Sequence, residues 1–268
     1  EERYQGKATG DDTALIMDKA LAFMESAANK GAPFMVTLWP HTPHLPVVAD
    51  SLQRSAYGEL PLNEQLYNGT ISSLDTQMGR LWEALDTLGI QDNTLIWFCS
   101  DNGPENNTPG SAGAFRGRKR SLYEGGVRVP AFAVWTSGFS RGLVSSYPMV
   151  TSDILPTLME IWGMDYPDER PLDGISVWPS LKGKRQKIRE PIGFVYHRAM
   201  SWVGNDYKLI STDGGENYEW YHLEKDPSEQ YDLSKEQPER VRENISELNA
   251  WLASVDSSAK GMDYNQGM

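Results

Sequence analysis

A long amphipathic helix followed by a short apolar strand constrains the fold of this chain most strongly. Over residues 67–88, apolar side chains recur at alternating steps of four and three, and Gly89 ends the pattern. The apolar run 94–99 then lacks alternation, which is typical of a strand covered by helices on both faces. The apolar positions of the helix are Tyr67, Ile71, Leu74, Met78, Leu81, Leu85 and Leu88, opposite a polar face of Asp75, Gln77, Arg80, Glu83 and Asp86.

The same order of helix and strand recurs along the chain. A helix is predicted over residues 11–30, and the apolar run 33–39 predicts a buried strand. Residues 129–135 predict a further strand, and residues 153–162 a further helix with Pro156 in its first turn. Strands that alternate with long helices predict an α/β fold, in which helices sandwich a mostly parallel sheet.

The pattern changes near residue 190. Short aromatic-rich strands separated by turn signals, and then a helix over residues 238–255, predict a small α+β subdomain with an antiparallel sheet. We therefore divide the chain into an α/β part (1–190), this subdomain (191–256) and a loose tail (257–268). The four predicted strands are 192–196, 201–203, 207–210 and 218–222.

The overall charge restricts the possible partners. The 268 residues carry a net charge of −12, which argues against nucleic acid, since phosphate binding needs a basic face. A sulfated or phosphorylated ligand must then meet a local group of cations. No apolar run approaches the roughly 20 residues needed for a membrane span. Cys99 is the only cysteine, so no intrachain disulfide is possible.

Three segments carry candidate chemistry. Asp101 and Asn102 directly follow the predicted strand 94–99, where α/β sheets bind ligands, and their oxygens suit Ca²⁺ or Mg²⁺. A simple Asx turn is the alternative. The cation-rich and glycine-rich segment 116–128 can hold an oxyanion, or it is a solvated loop. His44 lies in the proline-rich segment 40–46, which predicts an extended loop, and can donate a proton to a leaving group unless it is an exposed bystander.

In this combination and order, the segments resemble type I, formylglycine-dependent sulfatases of the alkaline phosphatase superfamily. The most specific features are the Asp-Asn-Gly triplet at 101–103 and the spacing Lys-x4-Glu-Gly-Gly-x-Arg over 119–128. The resemblance covers roughly residues 11 to 255. Further matching pieces are His44-Leu-Pro, Phe115-Arg-Gly-Arg-Lys119, and the segments 151–158, 172–176 and 221–227.

The resemblance implies a role for several residues. Asp101 and Asn102 match two ligands of the metal ion, Ca²⁺ or less commonly Mg²⁺. Lys119 matches the lysine that reaches the sulfate, and His44 matches the histidine that protonates the leaving oxygen. Arg116 and His197 are added as candidate substrate contacts. The resemblance also implies that His41 lies behind the catalytic residues, and that Glu124 and Arg128 are structural.

One part of the family's chemistry has no counterpart here. The family's nucleophile is a formylglycine made from Cys or Ser in a Cys-x-Pro-x-Arg motif, whereas Cys99 stands in Cys-Ser-Asp-Asn-Gly. The pair Asp11-Asp12 begins a predicted helix, so we interpret it as capping and not as the family's N-terminal metal pair. Because the chain also opens with Glu-Glu-Arg-Tyr, we expect a C-terminal half of a sulfatase. Such a half is inactive alone, and it pairs with an N-terminal half carrying the formylglycine or associates with itself.

Other functions stay open at this point. A phosphatase or phosphonate hydrolase of the same superfamily is one alternative, and a non-catalytic remnant that binds sulfated ligands is another. A sulfated saccharide is the favoured substrate over a small aryl sulfate. The resemblance leaves periplasm, lysosome and external medium all possible. Aromatic side chains that can stack on sugar rings, or form the subdomain core, are Tyr196, His197, Trp202, Tyr218, Trp220 and Tyr221.

Overall fold

The computed structural model describes residues 11–166, 170–184 and 188–264. The chain forms two compact units, each assembled from interleaved segments. The first contains the chain up to Trp97, with Pro104–Ser111 and Val134–Gly138. The second contains Phe98–Gly103, Ala112–Ala133 and the chain from Phe139 onwards. The boundary drawn at residue 190 from the sequence stays a prediction. Within the described ranges, no helix is long and apolar enough to cross a membrane.

The first unit is built around two long helices. Helix α1 spans Thr13–Asn29, helix α2 spans Ser51–Arg54, and helix α3 spans Leu62–Thr87. Short 3₁₀ helices cover Ser55–Tyr57 and Gln91–Asn93. Both long helices were predicted, although α3 begins earlier than its apolar pattern does. Their shared core consists of Met17, Ala20, Met24, Leu81 and Leu85.

The buried face of α3 differs from the predicted one. Gln77, assigned to the polar face, is buried, whereas Ile71 from the apolar pattern is 40% exposed. Two contacts explain the difference. Gln77 Oε1 accepts a hydrogen bond from Arg80 Nη1 (2.7 Å), so its amide is satisfied inside. Gly69 packs against α2, where a Cβ would lie 3.0 Å from the carbonyl oxygen of Gln53. Helix α3 is therefore covered on two sides.

Residues 33–39 do not form the predicted buried strand. The segment is assigned no strand, and its exposure alternates residue by residue. Phe34, Val36 and Leu38 pack on the core of α1 and α3. Trp39 is 81% exposed. A strand requires a hydrogen-bonded neighbour, and no segment among the described residues pairs with this one.

The central strands are short and partly open. Strands β1 (Ile96–Cys99) and β2 (Ala131–Val134) form a two-stranded sheet. The short helix α4 (Glu124–Val127) lies between them in sequence, just before β2. The rings of Phe98 and Phe132 stack with centroids 4.9 Å apart. Phe132 is nevertheless 46% exposed, so burial on both faces is not observed in the described residues.

The second unit contains the predicted subdomain. Helices α5 (Ile154–Trp162) and α6 (Trp178–Leu181) precede an antiparallel sheet, and helix α7 (Pro238–Ala259) follows it. The four strands pair antiparallel in the order β3-β4-β5-β6, which confirms the predicted antiparallel sheet. Helix α7 and a 3₁₀ turn at Met262–Tyr264 extend into the predicted loose tail, whose residues 265–268 lie outside the description. The strands are β3 (Ile192–Tyr196), β4 (Ala199–Val203), β5 (Tyr207–Ser211) and β6 (Glu219–His222).

The aromatic side chains of this sheet mostly form its core. Trp202 and Trp220 pack with Leu209 and Leu248 against α7, and Tyr221 lies in a second cluster. These three aromatic residues are at most 8% exposed. They are therefore not available to stack on a sugar ring. Among the aromatic side chains named from the sequence, Tyr196 and His197 are exposed.

The turn between β5 and β6 gives a pH-dependent prediction. Hydrogen bonds from the side chain and backbone of Asn217, and from Ser211, lower the pKa of Asp213 to about 2. Since an unfolded aspartate has a pKa of about 3.9, this stabilisation is present above pH 4 and is lost as the pH falls towards 2. We expect Asp213→Asn to be less stable than the native chain at pH 7 in urea unfolding, with the difference closing near pH 2. A constant difference would contradict this assignment.

Candidate functional site

The Asp101–Gly103 turn begins where β1 ends. Ser100 N donates a hydrogen bond to the carbonyl oxygen of Pro130 (3.1 Å), next to the start of β2. Asp101 Oδ1 accepts hydrogen bonds from Asn102 N (2.9 Å) and from Asn102 Nδ2 (2.7 Å). The Asp101 side chain is exposed and that of Asn102 half-buried. The turn therefore orients one carboxylate and one carboxamide side by side.

This pair leaves two hard oxygen atoms available. Because Asn102 Nδ2 donates to Asp101 Oδ1, Asp101 Oδ2 and Asn102 Oδ1 are the atoms left to bind a ligand. Carboxylate and amide oxygens are the ligands that Ca²⁺ prefers, usually six to eight in number. No group of three or more His, Cys, Asp or Glu side chains that could hold a metal occurs in the described ranges. The pair fits Ca²⁺ as part of a ligand set.

The surroundings of Cys99 favour the thiol over the thiolate. Burial, and then the charge of the nearby Asp101, raise the pKa of the Cys99 thiol. A raised pKa keeps the side chain in its unreactive thiol form at neutral pH. The structure therefore agrees with the sequence, which separates Cys99 from any formylglycine motif.

The cation-rich and glycine-rich segment 116–128 packs directly on the Asp101–Gly103 turn. Gly103 N donates to the carbonyl oxygen of Gly126 (2.8 Å), and Gly125 N donates to that of Arg116 (2.7 Å). A Cβ on Gly103 would lie 1.9 Å from the carbonyl oxygen of Gly125, so only glycine allows this approach. The structure thus brings the acid–amide pair and the candidate anion-binding segment together, while their binding of a metal and an anion stays a prediction.

Lys119 lies in a tight turn of that segment. Ser121 N donates to the carbonyl oxygen of Arg118 (2.9 Å), which closes the turn, and Arg120 has a left-handed backbone (φ 72°). Lys119 is half-buried. Its contact with a sulfate group stays a prediction.

Arg116 has several protein partners. Its Nη1 donates to Tyr221 Oη (2.9 Å) and to the carbonyl oxygen of Glu229 (3.1 Å). The guanidinium carbon stacks 3.7 Å from the ring centroid of Tyr123, and the carboxylate of Glu219 lies 3.4 Å from Nη1. These contacts anchor the segment to the antiparallel sheet. The substrate contact proposed for Arg116 would have to use its other guanidinium nitrogens, Nε and Nη2. That contact stays a prediction.

A buried ion cluster behind the segment was missed by sequence reasoning. Lys208 Nζ, fully buried on β5, donates to Glu124 Oε1 and to Glu229 Oε1, each at 2.9 Å. Glu229 Oε2 accepts the backbone N–H of Glu124 (2.6 Å). Arg128 Nη1 is a more distant partner of Glu124 at 3.5 Å, so Glu124 is structural as expected but pairs mainly with Lys208. The one available signal was a lysine inside the apolar strand Tyr207–Ser211.

His44 lies in the first unit, in a tight turn. The predicted extended loop is wrong, because His44 N donates to the carbonyl oxygen of His41 (2.6 Å) and closes residues 41–44. His44 Nδ1 donates to the carbonyl oxygen of Leu45 (2.6 Å). This bond fixes the proton of the neutral ring on Nδ1 and leaves Nε2 for a ligand. Thr42 and Pro46, with both histidines, line a cavity of about 170 Å³.

Asp11 and Asp12 have separate roles in that unit. Asp11 Oδ1 accepts the backbone N–H of Thr13 (2.8 Å), the first residue of α1, whereas Asp12 is the N-cap residue and its side chain makes no capping hydrogen bond. Asp12 accepts hydrogen bonds from the backbone N–H and the ring Nδ1 of His41. His41 is therefore held by Asp12 and lines the same cavity as His44.

His197 occupies a hairpin turn. It follows β3, has a left-handed backbone (φ 52°), and its ring lies 4.4 Å from that of Tyr196. Histidine is among the residues that tolerate this conformation. Its position is explained by the turn, and its predicted contact with substrate stays a prediction.

Comparison with known proteins identifies the fold. The solved structure of Ps i-CgsB superposes with a TM-score of 0.83 at 27% identity, over 89% of this chain and 54% of that one. The PsFucS1 sulfatase from Pseudoalteromonas sp. gives a TM-score of 0.76 at 25% identity, over 91% and 53%. The fold is the α/β fold of sulfatases in the alkaline phosphatase superfamily.

Sequence families give the same result. A profile described as sulfatase matches residues 1–164, and one described as the C-terminal part of N-sulphoglucosamine sulphohydrolase matches residues 110–256. Steryl-sulfatase from Mus musculus is 32% identical over 71% of this chain and 31% of its own length. Arylsulfatase G from Rattus norvegicus is 28% identical over 93% and 53%. The chain belongs to the sulfatase family, and it spans about half or less of the length of these relatives.

Proposed function

We propose that the protein is a sulfuric ester hydrolase that releases sulfate from a sulfate ester. The observation that carries this proposal is the packing of the Asp101–Asn102 pair against the glycine-rich segment that bears Lys119. One part offers oxygen ligands for a hard cation, and the other offers a positive charge for an anion. Together they are suited to a negatively charged ester in an otherwise acidic protein.

Each residue has a distinct role in this proposal. Asp101 Oδ2 and Asn102 Oδ1 would hold Ca²⁺, which when bound offsets charge on the sulfate oxygens. Lys119 binds a sulfate oxygen. His44 would protonate the leaving alcohol from Nε2 in its imidazolium form, because the Nδ1–H is held by the carbonyl oxygen of Leu45. A formylglycine nucleophile would have to come from a segment outside these 268 residues, since no Cys-x-Pro-x-Arg motif occurs in them.

We further propose a sulfated saccharide as the substrate. N-acetylgalactosamine-6-sulfatase from Homo sapiens is 28% identical over 83% of this chain and 48% of its own length. Ps i-CgsB has also been solved with a neocarrahexaose, at 27% identity to this chain. These relatives favour a sulfated sugar over a small aryl sulfate.

The metal role is tested by calcium binding to the purified chain. We expect weak binding by isothermal titration calorimetry, because two oxygens are a small part of a calcium site, and loss of that binding in Asp101→Ala. Asp206→Ala is the matched control, since Asp206 is also an exposed aspartate in a turn. Unchanged calcium binding in Asp101→Ala would refute the metal assignment.

The catalytic role is tested with an aryl sulfate. The chain alone should give no turnover, because positioning and electrostatics do not replace a covalent nucleophile. Combined with a formylglycine-bearing sulfatase segment, it should hydrolyse the ester. Asp101→Ala should then lower kcat/KM by roughly 100-fold or more. Turnover by the chain alone, or full activity of Asp101→Ala in the combined enzyme, would contradict this function.

A further inference from the structure

A cavity in the first unit is lined by none of the residues that have been given a functional role so far. It has a volume of about 560 Å³, within the range of roughly 300–1,000 Å³ typical of ligand pockets. The first turns of α3 form one wall, and the segment 107–111 forms the other. The lining residues are Asn63, Glu64, Tyr67, Asn68, Asn107, Thr108, Pro109, Gly110 and Ser111.

The wall formed by the loop is held in a defined conformation. A Cβ on Gly110 would lie 2.5 Å from Tyr67 Oη and 3.0 Å from Pro104 Cβ, so the loop lies close against helix α3 at this position. Thr108 Oγ1 donates to the carbonyl oxygen of Glu105 (2.8 Å). Asn107 has a left-handed backbone (φ 62°), which asparagine tolerates. Contacts within the protein therefore define the shape of this wall of the cavity.

The lining defines the chemistry of the ligand. It contains three carboxamides, one carboxylate and several hydroxyl groups, but no Lys, Arg or His. In the part of the chain that the structure describes, the side chains of Asn63, Asn68 and Asn107 make no hydrogen bond to the protein. Glu64 and the lack of lining cations disfavour an anion, and the polar lining disfavours an apolar ligand.

We propose that this cavity binds an uncharged sugar unit of a saccharide. A carboxamide both donates and accepts hydrogen bonds, so three of them can pair with neighbouring hydroxyl groups of a pyranose. A sulfate-bearing unit would meet the Glu64 carboxylate without a compensating cation. The inference builds on the proposed saccharide substrate, but it concerns binding and not hydrolysis.

The test is binding of desulfated neocarrahexaose to the purified chain, measured by titration calorimetry and saturation-transfer NMR. We expect Asn68→Ala and Asn107→Asp to raise Kd roughly fivefold or more, since each removes hydrogen bonds worth about 1 kcal/mol. Asparagine and aspartate both tolerate the left-handed backbone at position 107. Asn106→Ala is the matched control, because Asn106 belongs to the same loop and is exposed but does not line the cavity.

Two outcomes would overturn the inference. One is binding of the desulfated probe that is unchanged in both cavity variants, and the other is binding of the sulfated hexasaccharide alone. Either result can occur while calcium binding still depends on Asp101. Failure of the cavity proposal is therefore distinguishable from failure of the proposed hydrolase.

Discussion

Replacing Lys208 with methionine is expected to lower the free energy of unfolding by about 3–5 kcal/mol. Methionine matches the length of the lysine stem but leaves the carboxylates of Glu124 and Glu229 buried without a cation. Both carboxylates are bound at 2.9 Å by Lys208 Nζ, and side-chain exposure in the cluster does not exceed 7%. The pKa of Glu229 is raised, because the effect of burial on this carboxylate is larger than the opposing effect of the Lys208 charge. The carboxylate is therefore poorly solvated.

Urea unfolding of the purified chain measures the effect. Arg198→Met is the matched control, because Arg198 and its partner Glu216 are 69% and 70% exposed and such pairs contribute at most about 1 kcal/mol. Adding Glu229→Gln to Lys208→Met should restore part of the loss, since it removes one uncompensated charge. Equal effects of Lys208→Met and Arg198→Met would contradict the role of the buried cluster.

Replacing Gly125 with alanine should disrupt the segment that carries Lys119. The added Cβ would lie 2.3 Å from the carbonyl oxygen of Gly117 and 2.6 Å from that of Arg116. Those atoms belong to backbone and cannot rotate away, so we expect a loss of stability of about 2 kcal/mol or more. Calcium binding should fall as well, because the same segment supports the Asp101–Gly103 turn through the hydrogen bond from Gly103 N to the Gly126 carbonyl.

Gly79→Ala provides the contrast for that experiment. Gly79 lies in the interior of α3, where an added Cβ meets nothing within 4 Å. Alanine should therefore stabilise the chain by roughly 0.5–1 kcal/mol through helix propensity alone. In thermal unfolding the two variants should move in opposite directions, and only Gly125→Ala should weaken calcium binding. A Gly125→Ala protein as stable as the native chain would show that the segment can adapt.

The sequence by itself determined the elements whose patterns are local. The spacing of apolar residues predicted α1 and α3, and turn signals predicted β3 to β6 with their antiparallel order. The position of Asp101 and Asn102 after β1 predicted a ligand site there, because ligands bind at the ends of strands. That the glycine-rich basic segment belongs to the same site was implied by the resemblance to sulfatases. These features depend on residues within a few positions of one another.

Only the tertiary structure decided which partners these elements have. Gln77 is buried because Arg80 satisfies its amide, and residues 33–39 are not a strand because no described segment pairs with them. Lys208 meets Glu124 across 84 positions, and Glu229 meets the backbone of Glu124 across 105. The physical reason is that periodicity records which side of an element is apolar, whereas a buried charge is stabilised by whichever group the fold brings within hydrogen-bonding distance.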